Sequence, residues 1–171
     1  MVWRATTSNH MKTSKRGGEL ERTLEAIHGV YRMTRRAKVH KVDPPVRIVG
    51  GGGARRIIFL ENPFVDYVGA WTERNGRMLA IEAKETTEPR LDMATAKLSG
   101  TQQLALTQWR DSGALALVCW RHEGEIRLVT IAIMLAEQAA GRASVRWSRA
   151  VPLLRTEVPH DYLETADRLN L

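Results

Sequence analysis

Two carboxylates and a lysine occupy two neighbouring strand-like segments of this sequence. Asp66 lies in the run 64–68, and Glu82 and Lys84 lie in the run 78–84. Because side chains alternate between the two faces of a strand, Glu82 and Lys84 point the same way. A carboxylate and an ammonium group on one face of an apolar strand cost stability unless they pair or hold a metal ion. Two acids and a lysine are the groups that a Mg²⁺-dependent phosphodiester hydrolase needs, since oxygen ligands hold the ion and the ion activates water.

A hairpin turn is predicted to bring these groups together. Asn75-Gly76 is a strong turn signal, because both residue types tolerate the left-handed backbone conformation of tight hairpins. The turn folds the two strand-like segments back on each other, so Asp66 is expected close to Glu82. The alternate residues of the second segment are apolar and suit a core.

The composition is that of an ordinary globular domain. With 171 residues, 43% hydrophobic and 26% charged, the chain is long enough for one domain with its own core. No apolar run approaches the roughly 20 residues of a membrane span, so no membrane partner is expected. Residues 1–18 lack the apolar stretch of a secretory signal, which favours a cytoplasmic protein. The single cysteine, Cys119, suits an inert core thiol, and the histidines show no zinc-ligand spacing.

Positive charge is concentrated in the first third of the chain. The net charge is +7, but residues 1–56 carry +9 and residues 57–171 carry −2. Such a basic segment attracts nucleic acid, because phosphates that pair with it release their counterions. A solvated surface that only confers solubility is the alternative. The candidate DNA contacts are the basic residues of an N-terminal arm and of a hairpin tip, namely Arg4, Lys12, Lys15, Arg16, Arg55 and Arg56.

The pattern along the chain predicts a flexible basic arm, residues 1–17, followed by a single domain, residues 18–171. Residues 46–60 are predicted to form a protruding hairpin. Its glycine run, residues 50–53, is interpreted as a flexible turn, since no Lys-Ser/Thr pair and no helical pattern follow it. A nucleotide-binding loop, and with it a nucleotide cofactor, is therefore not expected.

Alternating helices and strands predict an α/β fold with a mixed sheet. Ser99 is a candidate cap for the second helix, and glycines are expected to end the second and third. The predicted helices are 18–36, 100–111, 133–140 and 160–169, and the predicted strands are 39–42, 46–49, 57–60, 67–71, 78–84, 114–120 and 126–131. Residues 85–97 and 147–158 are predicted to be irregular connections.

Several short motifs resemble those of the RecU-type Holliday-junction resolvases, which belong to the PD-(D/E)xK nuclease superfamily. Asp-x-Glu-x-Lys elements alone are weak signals, whereas Glu-Ala-Lys-Glu-Thr after an upstream Asp-Tyr-x-Gly is much more specific. The small size is similar to that of the phage or prophage branch. The matching stretches are Gly18-Glu19-Leu20-Glu21, Pro44-Pro45-Val46, Asp66-Tyr67-Val68-Gly69, Ile81-Glu82-Ala83-Lys84-Glu85-Thr86 and Gln102 upstream of Trp109, with a weaker echo at Pro159-His160-Asp161-Tyr162-Leu163.

The resemblance implies a homodimer around a restriction-endonuclease-like mixed central β-sheet flanked by helices. Each protomer would cut one strand of a four-way DNA junction. Residues 46–60 stand where the family has a stalk that inserts at the junction centre, although this segment is short and carries four glycines.

The resemblance also implies roles for the charged residues. Asp66 and Glu82 match the metal-binding acids, with the carbonyl of Ala83 as a further ligand for Mg²⁺ and with Mn²⁺ as the alternative ion. Lys84 matches the lysine that orients the attacking water and stabilises charge near the scissile phosphate. Glu21 matches an acid on the first helix that binds metal through water. Pairing of Glu21 with a basic neighbour on the surface is the simpler alternative.

Two polar residues complete the implied site. Gln102 matches a glutamine that positions the water or the lysine, and the adjacent Gln103 is the alternative. Leu106 and Trp109 follow Gln102 along one helical face, which favours Gln102. Thr86 is expected to contact a phosphate of the DNA.

Three functions are compatible with this sequence. The favoured one is a Mg²⁺-dependent endonuclease that resolves four-way junctions by paired cuts. Another PD-(D/E)xK nuclease that acts on linear or branched duplex is the first alternative. A non-catalytic junction-binding protein is the second, and it predicts that the loss of Lys84 or Asp66 changes nothing.

Overall fold

A computed structural model describes residues 17–43, 46–49, 56–59, 65–94 and 97–171 of the chain. The helices are α1 (Gly17–Met33), α2 (Gly100–Asp111), α3 (Ile131–Ala139) and α4 (Tyr162–Arg168). The strands are β1 (Ala37–Lys41), β2 (Val46–Val49), β3 (Arg56–Phe59), β4 (Tyr67–Trp71), β5 (Arg77–Thr86), β6 (Arg90–Asp92), β7 (Leu115–His122), β8 (Glu125–Thr130), β9 (Ser144–Arg146) and β10 (Val151–Pro152).

The centre of the fold is a six-stranded mixed sheet in the order β1-β4-β5-β7-β8-β10. Its strands pair antiparallel except for β5 and β7, which are parallel. The crossover between those two strands contains α2, as parallel strands require a long connection. The predicted α/β architecture, a mixed central sheet flanked by helices, is confirmed.

The two faces of the sheet carry two separate hydrophobic cores. Leu79 and Ile81 of β5 pack on one face, with residues of α1 and α4 such as Leu24 and Leu163. Ala80 of β5 faces the other way and packs with residues of α2 and α3. The predicted alternation along β5 is therefore confirmed, and Glu82 shares its face with the α2 layer.

The hairpin between β4 and β5 forms as the Asn-Gly signal predicts. Trp71 pairs with Arg77, and Thr72–Arg74 forms a single turn of 3₁₀-helix in the loop. Asn75 and Gly76 both have positive φ values, 54° and 74°. The loop is longer than a two-residue turn, but its direction is the same, and it returns β5 antiparallel to β4.

Gly69 allows β1 to approach β4 closely. A Cβ atom at this position would lie 2.4 Å from the carbonyl oxygen of Lys38 and 2.8 Å from the Cα of Val39. Contacts this short are not tolerated, so any side chain here would displace the edge strand β1. The glycine of the Asp-Tyr-x-Gly motif is thus explained by strand packing.

A buried aspartate joins the first helix to the last one. Asp161 accepts a hydrogen bond from the N–H of Glu164 at the start of α4, from the hydroxyl of Tyr31 at 2.8 Å and from Arg36 at 2.6 Å. Its side chain is completely buried, so these partners replace the water that a carboxylate loses on burial. The echo of the family motif at residues 159–163 therefore lies at a structural clamp.

Several predicted boundaries are wrong. Residues 85–97 are not an irregular connection, because β5 continues to Thr86 and β6 pairs antiparallel with β9. Both short strands lack an apolar alternation long enough to recognise. Helix α1 ends at Met33, before the predicted residue 36, and α3 begins at Ile131, two residues early, after a cap by the Thr130 hydroxyl.

Part of the predicted DNA-binding surface lies outside the described residues. This holds for Arg4, Lys12, Lys15 and Arg16 of the arm and for Arg55 of the hairpin. Strands β2 and β3 pair antiparallel from Val46↔Phe59 to Val49↔Arg56, within the segment that was predicted to form the protruding hairpin. Within the part of the chain that the structure describes, no helix combines the length and the hydropathy needed to cross a membrane.

Candidate active site

The register of β4 against β5 sets Asp66 opposite Glu82. Tyr67 pairs with Ile81, and the same register continued by one residue places Asp66 across from Glu82. The Oδ2 atom of Asp66 accepts a hydrogen bond of 2.8 Å from the backbone N–H of Ala83. This bond fixes the carboxylate of Asp66 against the end of β5, on the side where Glu82 emerges.

Glu82 has one carboxylate oxygen with two donors and one with none. Its Oε1 atom lies 2.8 Å from the Nζ of Lys84 and 2.5 Å from the Nε2 of Gln102. Its Oε2 atom is buried and has no hydrogen-bond partner among the described residues. The side chain as a whole is 0% exposed. A buried carboxylate oxygen without a donor is costly, so it marks a position where a cation would be stabilising.

The environment of Glu82 favours its protonated form. Burial and then the negative charge of Asp66 raise the pKa of Glu82, the Lys84 ammonium group lowers it, and the net result is a pKa of about 7. Two carboxylates that face each other in a buried site cannot both ionise freely. A divalent cation between them would remove this repulsion.

Gln102 is held in one orientation by the first turn of α2. The hydroxyl of Ser99 accepts a hydrogen bond from the Gln102 N–H, and the Gln102 Oε1 atom accepts one from the Ser99 N–H at 3.1 Å. Because the amide oxygen faces a backbone donor, the NH₂ group has to face Glu82. The cap that Ser99 was predicted to form therefore also aims the glutamine.

Gln103, the alternative glutamine, points elsewhere. Its NH₂ group donates to the carbonyl oxygens of Met93 and Leu98, and its oxygen accepts from Gln138. These bonds tie the connection after β6 and helix α3 to α2. The structure thus brings Gln102, and not Gln103, to the carboxylates.

The donor set suits a hard divalent cation. Asp66 and Glu82 offer carboxylate oxygens, and the carbonyl of Ala83 points to the same edge of β5 as the N–H that bonds Asp66. Mg²⁺ is commonly bound by one or two carboxylates while it keeps several waters. Within the described ranges, no group of three or more histidine, cysteine or acidic side chains is placed to hold a metal ion.

Glu21 does not join this pair. Its Oε2 atom lies 2.7 Å from the Nζ of Lys41, and its side chain is 43% exposed. Lys41 is the last residue of β1, and the charges of Glu21 and then of Glu25 and Asp66 contribute to its raised pKa. Glu21 therefore lies at the rim, separated from the acids by a lysine, and direct metal ligation by its side chain is not supported.

Thr86 is not placed as a phosphate contact. Its side chain is buried, its hydroxyl donates to the carbonyl of Glu88 at 2.7 Å, and it accepts from the indole N–H of Trp120 at 2.8 Å. The hydroxyl thus has both a donor and an acceptor inside the protein. We correct the expectation for Thr86: it anchors the end of β5 to β7.

Two residues near the site were missed from the sequence. Lys41 could have been found only from the pairing of β1 with β4, which places it opposite Tyr67 and beside Asp66. Arg121 of β7 lies 2.7 Å from Glu19 and also pairs with Glu85, which links α1 to the strand that carries Lys84. Neither has a local signal, because the partners are distant in sequence.

Comparison with known proteins places the chain in context. Residues 15–150 match the family model described as recombination protein U. Among solved structures, the chain is similar to that of Hjc, a Holliday junction resolvase from the archaeal hyperthermophile Archaeoglobus fulgidus, with 19% identity and a TM-score of 0.48. The similarity covers 79% of this chain and 94% of that one. It is too distant to carry an argument about function. No curated protein matches the chain.

Because burial and then the charge of Asp66 disfavour an ionised Glu82, we predict that Glu82→Gln stabilises the protein. The pKa of Glu82 is about 7 in the folded chain against 4.5 in the unfolded one, so Glu82 favours folding fully only below pH 4.5, and this contribution disappears as the pH rises through 7. Glutamine keeps the acceptor for Lys84 and Gln102 and carries no charge. We expect the free energy of unfolding at pH 8, without divalent ions, to rise by about 1–3 kcal/mol.

The measurement is urea unfolding of both proteins at pH 8 and at pH 4. The gain should nearly disappear at pH 4, where the wild-type carboxyl is mostly protonated in both states. Glu157→Gln, at an exposed position, is the matched control and should change little at either pH. An unchanged or lower stability of Glu82→Gln at pH 8 would refute the raised pKa of Glu82.

Proposed function

Because residues 15–150 match its model, this chain belongs to the recombination protein U family of Holliday-junction resolvases, and we propose that it is a metal-dependent endonuclease that cuts four-way DNA junctions. The observation that supports this most is the paired acids Asp66 and Glu82 with a bare, buried Oε2 atom. Lys84 and Gln102 contact the same carboxylate on its other oxygen.

The proposed metal ligands are Asp66, Glu82 and the carbonyl of Ala83. Mg²⁺ is the ion that we propose, and Mn²⁺ offers the same coordination chemistry with oxygen ligands. When bound, such an ion lowers the pKa of a bound water and offsets charge on the phosphate. The residues of the chain fix the two acids before any ion binds, since Asp66 is tied to the Ala83 N–H and Glu82 to Lys84 and Gln102.

Lys84 is proposed to act on the reacting phosphate. Its side chain is 17% exposed and its Nζ atom lies 2.8 Å from Glu82, so Lys84 joins the interior of the site to the surface where DNA would lie. An ammonium group held in this position can orient a nucleophilic water and stabilise the charge that develops on the phosphate oxygens. Gln102 is a positioning residue, because it acts through Glu82.

A homodimer is proposed for the resolvase reaction. A four-way junction is two-fold symmetric, and symmetric incision of two strands calls for two sites related by the same symmetry. Arg4, Lys12, Lys15, Arg16, Arg55 and Arg56 are proposed to hold DNA through phosphate contacts. Residues 46–60 are proposed to contact the junction centre.

Loss of the acids or of the lysine should abolish cleavage and leave DNA binding intact. We expect Asp66→Asn and Lys84→Ala to lower the single-turnover rate on a labelled four-way junction at least about 100-fold, because each removes a group that stabilises the transition state. The assay compares the junction with a linear duplex of the same sequence, with and without Mg²⁺. Electrophoretic mobility shift in chelator measures binding.

The controls separate the remaining functions. Equal cleavage of the linear duplex would identify another kind of nuclease. Junction binding without cleavage by the wild type in Mg²⁺ and in Mn²⁺ would contradict a catalytic role.

Gln102 and Gln103 offer a matched pair of variants on one helix. Gln102→Leu removes the donor to Glu82, and we expect the cleavage rate to fall about 10- to 100-fold, as for other partners that orient metal ligands. Gln103→Leu removes bonds to the backbone at Met93 and Leu98, so it should lower the melting temperature and leave the rate of the folded enzyme within about threefold. The reverse pattern would show that Gln103 serves the site. Single-turnover rates and thermal unfolding of both variants decide between the two.

A further inference from the structure

A second positively charged surface lies on the same side of the sheet as the acids, in the part of the chain whose net charge is negative. Four arginines form it. Arg90 is on β6, Arg142 lies two residues before β9, Arg146 is the last residue of β9, and Arg149 lies three residues after it. We call these four residues the arginine surface. A depression of about 290 Å³ between α3 and β9 is lined by Arg142, Arg146, Arg149 and Glu137.

Glu137 orients two of these arginines. Its side chain is 1% exposed, and its two oxygens accept hydrogen bonds from the Nε atoms of Arg142 and Arg149, the latter at 3.2 Å. Each guanidinium group uses only its Nε edge for this contact, while the side chains of Arg142 and Arg149 remain 48% and 58% exposed. The terminal nitrogens, which match phosphate oxygens in pairs, make no hydrogen bond with the described residues.

The remaining arginines increase the local charge. Arg146 makes no ion pair with the described residues, and it stands directly opposite Arg90 in the β6–β9 pair. Like charges directly opposite each other destabilise a strand pair. Arg90 is paired with Glu88 at 3.0 Å, so the four arginines and the two glutamates leave a net charge of +2. Repulsion between the arginines therefore lowers the stability of this part of the fold, and a bound polyanion would remove that repulsion.

Strand pairing and one aromatic contact connect this surface with the strand that carries Glu82 and Lys84. Lys84 pairs with Trp120 across the parallel strands, and Trp120 packs edge-on against Trp147 at 4.7 Å between ring centroids. Trp147 directly follows Arg146, and its N–H donates to the carbonyl of Pro89. The arginine surface is thus connected, through Trp147 and Trp120, to the position of β7 that pairs with Lys84.

We propose that the arginine surface binds the phosphate backbone of a duplex DNA arm whose scissile phosphate lies at Glu82 and Lys84. This inference rests on the proposed function, because it takes the DNA at the acids as given. Duplex DNA fits better than a small anion, since exposed guanidinium groups spread over three elements match a row of phosphates. Because a duplex arm is common to junctions and linear DNA, the surface serves both.

The test uses full-length protein carrying Asp66→Asn, which removes cleavage from the measurement. The multiple variant combines Arg142→Gln, Arg146→Gln and Arg149→Gln with Glu137→Gln. The change at Glu137 is included because its buried carboxylate would otherwise lose both of its partners. Arg146→Gln alone is a second variant, and it breaks no ion pair among the residues that the structure describes. The matched control replaces Arg32 and Arg35 by glutamine, which lowers the net charge by two, as the multiple variant does, on the other side of the sheet. Fluorescence anisotropy measures the affinity for a four-way junction and a linear duplex from 50 to 300 mM salt.

The expected result is a flatter salt dependence. Each lost phosphate contact reduces the slope of log K against log[salt] by about 0.9, so the multiple variant should lose about two to three units and Arg146→Gln about one, on both DNAs. The control should keep its slope within about half a unit. A multiple variant that is folded and matches the control, or a loss confined to the junction, would overturn the proposal.

The outcome is distinguishable from failure of the proposed function. If the wild type cuts no junction but the salt-dependence slopes change as expected, the arginine surface binds DNA and the proposed cleavage reaction is refuted. If the wild type cuts junctions and the slopes stay unchanged, the reaction holds and the arginine surface has no part in it.

Discussion

The candidate site depends on the enforced proximity of two carboxylates that repel each other. Asp66 and Glu82 face each other across β4 and β5, one tied to the Ala83 N–H and the other completely buried. Lys84 and Gln102 satisfy only one oxygen of Glu82, and the second is left bare. Sites that bind cations commonly carry such a cost in the free protein, because the same arrangement becomes favourable when the charge is neutralised.

The rest of the fold maintains this arrangement. The pairing of β5 with β7 buries the strand that carries Glu82 and Lys84. Helix α2 supplies Gln102, and Ser99 orients its amide group. On the other face of the sheet, α1 and α4 pack in one hydrophobic core, and the hydrogen bonds of Asp161 join them. The acids therefore sit on rigid elements, as precise positioning of ligands requires.

The carboxylate pair could be predicted from the sequence because its causes are local. A two-residue alternation fixes the face of Glu82, and the Asn75-Gly76 signal fixes the strand pairing that carries Asp66 to it. The cap by Ser99 was also predicted because it is local, whereas its reciprocal bond with Gln102, three residues on, was not. Family membership, read from the same motifs, agrees with the match over residues 15–150.

What the sequence did not show depends on contacts between distant segments. Thr86 was expected to face DNA, but the indole of Trp120, 34 residues away, occupies its hydroxyl. The separation of Glu21 from the acids follows from Lys41, whose position is set by strand pairing. The arginine surface could not be predicted from the charge of the segment, because residues 57–171 carry a net charge of −2. The arginines come together only through the packing of the fold.

Calorimetric titration of Mn²⁺ and Mg²⁺ into the DNA-free protein tests the central claim most directly. If Asp66 and Glu82 share a cation, the wild type should bind it, and it should release a proton near pH 6.5 because the pKa of Glu82 is about 7. Asp66→Asn and Glu82→Gln should each abolish the binding heat, whereas Glu21→Gln should leave it nearly unchanged. Wild-type affinity retained in Asp66→Asn would contradict a shared ion and, with it, the account of this site.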